Sequence, residues 1–435
     1  MREIKDAPVT HQLATGRTAT LIKLGFAAGA KTAAAFAAFA LTALITRNMP
    51  NDEAGLFLLG FTLITVLSIF FRLGLDNVIL RFLSAHGTDD FAQEKLNRGL
   101  LWIATAVIPA TILGIMLSEQ IATTIFNKPE FEPVLFWMLP ALPAMAIFML
   151  LAMAFQAQHR VVLTTIFQNL GISTLFIVGF GYLWFEQPDA ISAVSAAQIY
   201  TVAAAAMFIA GVTLWYGQRN VNFKITGYRD PELTHASMNL WTASIMGLAV
   251  QWSGILVAGA MLPPEDVALL TAAQRTAMLT SFVLMVVNMV VAPRYARLWK
   301  EGNIERIRYL AKWSTRGMIA MVLPVVAVMM IWPEKVMGLF GEGFEEAAIL
   351  LMILAVGQFV NVATGSVGYL LNMSGNEQDF NRVTIIAGPS TIALVMVLTN
   401  YYGVIGAAAS TAAGVSIQNI LALSKVRSKL GIQPF

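Results

Sequence analysis

The sequence contains no cysteine and only four histidines. The first absence excludes disulfides and thiolate-held metals or clusters. The histidines, His11, His86, His159 and His235, all fall in polar segments between apolar runs, where neither metal binding nor an intramembrane proton relay is expected. Charge is also scarce, at 12% of 435 residues, against about 25% in an ordinary soluble domain. With 57% hydrophobic residues and a mean hydropathy of +0.69, the chain has more apolar surface than a soluble core can hide. It therefore reads as a polytopic membrane protein. No polar segment exceeds 20 residues, and none carries a zinc motif, a carboxylate pair or a nucleophile–base set. An enzyme is not expected, nor is any cofactor, metal or nucleic-acid partner.

Twelve apolar stretches have spanning length: 21–46, 55–82, 97–117, 133–157, 161–185, 190–216, 238–262, 266–292, 313–332, 346–372, 383–401 and 403–424. The first is too long, and too far from the start, for the apolar core of a cleaved signal, so it is expected to be retained. Of 28 Lys and Arg residues, 22 fall on the side of the N-terminus, while Arg47, Lys128 and Lys335 alone lie on the other. The opposite turns are acidic, with Asp52, Glu53, Glu130, Glu132, Glu265 and Asp266 among them. Positive charge marks the cytoplasmic side, so both termini are expected in the cytoplasm. The densest basic segment, Arg294 to Arg316, is the natural contact for anionic headgroups.

The chain also repeats itself. Pro50-Asn51-Asp52-Glu53 aligns with Pro263-Pro264-Glu265-Asp266 at an offset of 213, and Arg81-Phe82 with Arg294-Tyr295 at the same offset. "IFNKPEFE" at Ile125–Glu132 matches "LFGEGFEE" at Leu339–Glu346 with one gap. An offset of six spans keeps both halves in one orientation, which predicts parallel repeats with a site between them near the midplane. The expected division is a six-helix bundle over 1–216, a cytoplasmic linker over 217–236 and a second six-helix bundle over 237–435.

Thr46–Ser84, "TRNMPNDEAGLFLLGFTLITVLSIFFRLGLDNVILRFLS", carries a Pro turn, Gly-Leu-Phe, Leu-Gly-Leu-Asp and an Arg-Phe end. Its second-half counterpart, Leu262–Trp299, contains "VVAPRYARLW". These residues, with the late "LLMILAVGQFVNVATGSVGYLLNMSGN", resemble the oligosaccharide flippase and polysaccharide export family. That family shares a superfamily with multidrug and toxin extruders. The resemblance covers nearly the whole chain and fits the twelve-span members. It implies an all-α, MATE-like pair of six-helix bundles arranged as a V, alternating between inward- and outward-open states. It also implies a cargo, an oligosaccharide on polyprenyl pyrophosphate moved out of the cytoplasmic leaflet of a bacterial inner membrane. Membrane lipid is the medium, and a polysaccharide polymerase and export machinery are the implied partners. The alternatives are a multidrug exporter of the same superfamily and, further off, a membrane enzyme of polysaccharide synthesis.

Four ionisable residues lie inside the spans. A charge at a helix centre costs about 2.5–3.5 kcal/mol on insertion scales and marks a cavity or partner. Gly25–Thr32 differs from a phosphate-binding P-loop by Ala30 in place of glycine, and unbroken helical sequence flanks it. Lys31 is therefore not a nucleotide ligand, and Gly25 and Gly29 read as a small-residue packing face. Arg275 lies near mid-membrane. Arg72 lies one turn before Asp76, the spacing of a helical ion pair. Three bases against one acid make a cationic cavity suited to pyrophosphate, with Lys31, Arg72 and Arg275 as its ligands and Asp76 as a supporting partner. Among the scattered amides, Gln358 and Asn361 share a helix face and are candidate sugar contacts.

Overall fold

The computed structural model describes residues 29, 36–87, 89–218, 223, 227 and 230–434, without the side chains of residues 161, 169 and 239. Lys31 and most of the expected linker lie outside the described residues. Every described element is helical. Among the described residues eight helices are long and apolar enough to cross a membrane, up to ten if each of two bent pairs is one span. In chain order the principal helices are α1 (36–48), α2 (Asn51–Phe71), α3 (Leu75–His86), α4 (Asp90–Met116), α5 (Glu132–Met138), α6 (Ala141–Ala157), α7 (Gly171–Glu186), α8 (Ala193–Tyr216) and α9 (Pro231–Met261). There follow α10 (Pro264–Met278), α11 (Ser281–Lys300), α12 (Ile304–Ile331), α13 (Ala348–Ala363), α14 (Val367–Met373) and α15 (Glu377–Leu430).

The last two apolar runs share one continuous helical assignment, α15. At Gly403 the backbone takes φ 57° and ψ −140°, values that only glycine adopts easily. There the chain doubles back. Ser410 Oγ donates to Leu394 O at 3.2 Å, and a Cβ on Gly414 would lie 2.3 Å from Thr391 Oγ1. α15 is thus a hairpin of two spans.

The sequence matches recur as matched geometry. Pro50 caps α2 with φ −53° and ψ 149°, and Pro263 caps α10 with φ −57° and ψ 155°. Neither cap offers a side-chain hydrogen bond. In both, two acids in the first turn face the positive end of the helix dipole. The second match falls on two short 3₁₀ turns, Pro129–Phe131 and Phe344–Ala347. Phe131 and Phe344 are fully buried there, against Phe126 and Phe340.

Several spans are broken within their length. α2 passes to α3 through Leu73 (φ 54°) and Gly74 (φ 71°). α10 passes to α11 at Leu279–Thr280, and in the N-terminal half a π-helical turn over Ile166–Leu170 bends the span that ends in α7 by 58°. Broken backbone at membrane depth is tolerated where it is buried in protein or lines a cavity.

Packing differs between the two ends. At the acidic end the N- and C-terminal halves share one hydrophobic core, which runs from Leu41, Phe57 and Leu59 to Val267, Phe340 and Leu350. A Cβ on Gly55 would lie 1.8 Å from Pro264 O, so only glycine permits the approach of α2 to α10. Arg47 Nε donates to Leu339 O at 2.8 Å, and Phe39 stacks on Phe340 at 4.8 Å. Toward the basic end the C-terminal half has a core of its own, built from Val291, Tyr295, Ile307, Leu370 and Val426.

Candidate functional site

Arg275 projects from the last turn of α10, next to the break before α11. Its guanidinium crosses to the N-terminal half. Nη1 donates to Thr42 Oγ1 on α1 at 2.7 Å, and Cζ sits 4.4 Å from the centre of the Phe61 ring on α2. Nη2 is buried and has no hydrogen-bond partner. A buried, incompletely bonded guanidinium is costly, and its remaining donors are the geometry that a planar oxyanion accepts. Phe61, the ring covered by the guanidinium, joins Thr65, Phe167, Tyr200, Phe282 and Met285 in walling a cavity of about 290 Å³ between the halves, and Arg275 itself is not among the lining residues. The neighbouring Gln274 donates to Gln251 O at 2.6 Å and ties α10 to α9.

Arg72 closes α2 at the break before Gly74. Its Nε donates to Asp76 Oδ2 at 2.9 Å, and Nη1 reaches Ser68 Oγ at 3.5 Å. Asp76 Oδ1 is buried without a partner. Gly74 is dictated by proximity, since a Cβ there would meet Trp241 N at 2.5 Å and Ser237 O at 2.6 Å. Among the described residues no hydrogen bond or ion pair joins Arg72 to Arg275. Gln358 and Asn361 come together on α13 around Ser281 of α11: Ser281 Oγ donates to Gln358 Oε1 at 2.6 Å, and Asn361 Nδ2 to the same oxygen at 3.3 Å. Among the described residues no group of three or more His, Asp or Glu is placed to hold a metal.

Two clusters were not legible from spacing. At the acidic end, Lys128 is buried. Its Nζ donates to Phe126 O at 3.2 Å and to Gly259 O at 2.5 Å, and burial lowers its pKa. At the basic end, Asp230 caps α9 through Leu233 N at 3.0 Å. It also binds Lys95 at 2.8 Å and pairs with Arg98, while Glu232 adds a second bond to Lys95 at 2.8 Å. Burial alone would raise Asp230, but its bonds to Lys95 and Leu233 N outweigh burial and hold it below the usual 3.8. Burial would likewise lower Lys95, yet Asp230 and Glu232 raise it above 10.5. Tyr216 OH at the end of α8 donates to Asn97 on α4 at 2.7 Å. Both flanks of the linker are therefore fastened to α4. A sequence signal existed for one of them: Asp230-Pro231 is a capping residue followed by proline at the first helical position.

Helices of membrane-spanning length, broken around an interior cavity and a buried arginine, define an all-helical membrane transporter. A family model described as "Polysaccharide biosynthesis protein" matches residues 23–299, and the chain belongs to that family. A second model, MatE, matches residues 243–402. A "probable low-salt glycan biosynthesis flippase" of Haloferax volcanii is 24% identical over 220 residues, covering 48% of this chain. The match spans only 45% of that relative's length. Among solved structures, the lipid II flippase MurJ in an inward closed conformation superposes with a TM-score of 0.75 at 13% identity, over 92% of this chain and 87% of that one. An inward-facing multidrug resistance MATE family transporter gives 0.69 at 17% identity, over 90% and 94%. The fold is MATE-like.

Proposed function

We propose that the chain is a flippase that moves a polyprenyl-pyrophosphate-linked oligosaccharide, a surface-polysaccharide precursor, out of the cytoplasmic leaflet by alternating access. The observation that carries the reading is Arg275, a half-buried cation whose Nη2 has no partner among the described residues and whose guanidinium lies over Phe61, a wall of the interhelical cavity. Its chemistry suits pyrophosphate, and Lys31 and Arg72 add charge from the N-terminal half. Asp76 holds Arg72 until the anion arrives, and Gln358 with Asn361 meets sugar hydroxyls. The family membership and the glycan flippase relative support the same cargo class.

The architecture in this reading is two six-helix bundles, 1–216 and 237–435, around a linker over 217–236. Dividing α15 at Gly403 and adding α1 to the spans counted by length brings the number to twelve. The basic end faces the cytoplasm together with both termini, the membrane is the bacterial inner membrane, and a polymerase and export machinery act downstream.

A multidrug exporter is the second reading, favoured by the MatE match and the multidrug structural relative. It calls for acids in the cavity, and among the described lining residues of the space between the halves there is none. The deciding measurement is the lipid-linked oligosaccharide pool in a deletion strain. Accumulated precursor with lost surface polymer, restored by the intact gene but not by K31A/R72A/R275A inserted at equal level, supports the flippase. Normal pools and polymer in a strain without a redundant flippase sink it, and cationic-dye efflux then becomes the test.

A further inference from the structure

The amide pair Gln156–Gln168 has no part in the anion chemistry. Gln168 stands in the π-helical turn Ile166–Leu170, where the ladder of backbone bonds is widened by one residue. It lines the same cavity as Phe61 and Tyr200. Its Nε2 donates to Gln156 Oε1 on α6 at 3.0 Å and approaches the Met153 sulfur at 3.7 Å. A pair serving only to bond two helices would be buried and saturated. Here Gln156 is exposed and Gln168 half-buried, and among the described residues nothing bonds the Gln156 amide donors or the Gln168 carbonyl oxygen.

An amide offers both donors and an acceptor. That matches a ligand whose groups each donate and accept, as hydroxyls do. Phe167, Phe61, Tyr200 and Phe282 present apolar faces in the same space. Sugar rings combine these two surfaces, with hydroxyls around the edge and C–H groups on the face. The cavity lining contains no carboxylate, so a free ammonium on the ligand would find no counter-ion. Its volume of about 290 Å³ is at the lower end of small-molecule sites, enough for one ring.

We propose that Gln168 and Gln156 form a hydroxyl-reading subsite for one uncharged sugar residue, in the cavity walled by Phe61, Phe167, Tyr200 and Phe282. The subsite deepens the flippase reading and rests on it for the claim that the sugar arrives on a lipid. It adds a sugar contact from the N-terminal half to the one proposed at Gln358 and Asn361 in the C-terminal half.

The test is photocrosslinking in cells whose only copy carries Gln168→p-benzoylphenylalanine, followed by mass spectrometry of the adduct. The subsite predicts an adduct bearing hexose-type mass units that a glycosidase trims. An adduct with phospholipid acyl chains alone overturns it. If the sugar-bearing adduct lacks polyprenyl pyrophosphate, the subsite stands and the lipid-linked cargo falls. If precursor accumulates in the deletion strain but no sugar crosslinks at this position, the reverse holds. A second measurement avoids the bulky probe: Q156L/Q168L, inserted at the wild-type level, should lower surface polymer roughly tenfold through lost hydrogen bonds. Wild-type polymer output from that variant overturns the subsite.

Discussion

The two ends of the molecule are held shut by different chemistry. At the acidic end the halves meet through apolar packing and backbone approach, with Gly55 against Pro264, Leu59 against Gly259, and Lys128 bonded to Gly259 O. Toward the basic end Trp241 Nε1 donates to Phe70 O at 2.7 Å, and beside it the end of the linker is held ionically, with Asp230 gripped by Lys95 and Arg98. Dry packing is short-ranged and all-or-none, because a small separation forfeits most of the dispersion contact. A buried ion pair is directional, and its loss is felt mainly as the cost of the charge left behind. In the flippase proposed above, the acidic end is the seam that opens, and the basic-end clasp stays fastened while it does.

The largest expected effect breaks the clasp. D230A leaves Lys95 and Arg98 buried without their shared carboxylate, and the cost should be about 3–5 kcal/mol. Thermal unfolding in detergent should show a clearly lowered midpoint. An unchanged midpoint would mean that the clasp carries no stability and that the two ends do not differ in the way described.

A wedge at the other end comes next. A side chain at residue 55 collides with Pro264 O, and overpacking of this kind costs about 1–3 kcal/mol, so G55V should part the seam rather than unfold the protein. The cysteine-free sequence makes the readout clean. A single V267C reporter should react with an impermeant maleimide about tenfold faster when G55V is added, given tenfold per 1.4 kcal/mol. Equal rates would show that the seam yields elsewhere.

The smallest effect is that of pH. Asp230 is held below 3.8, so its contribution is present above that value and is lost only as pH falls through the lower folded value. Lys95 is held above 10.5, so its contribution is present below that value and is lost as pH rises through the higher folded value. The wild-type minus D230A stability difference should therefore be flat between about pH 5 and 9, and a slope inside that window would point to another titrating partner.

What the sequence revealed and what it hid divide along the same physical line. Local chemistry was legible. The repeated Pro-acid turn at 50–53 and 263–266 became two helix caps of nearly equal backbone angles, and the Arg72–Asp76 spacing placed the two side chains within bonding reach. The depth of Arg275 could be counted from the chain, but its capture by Thr42 and Phe61 could not, because those contacts join residues more than 200 positions apart. Lys128 and Lys95 were counted only as loop charges. Their burial depends on partners more than 130 residues away, which neither composition nor periodicity reports. The π-helical turn around Gln168 was equally silent, since its sequence reads as ordinary apolar helix.

The fastening of Tyr216 and Asp230 to one helix has a practical consequence. With Tyr216 and Asp230 both anchored on α4, the first half itself sets where the second half begins, as a mounting plate sets the hinge fixed to it.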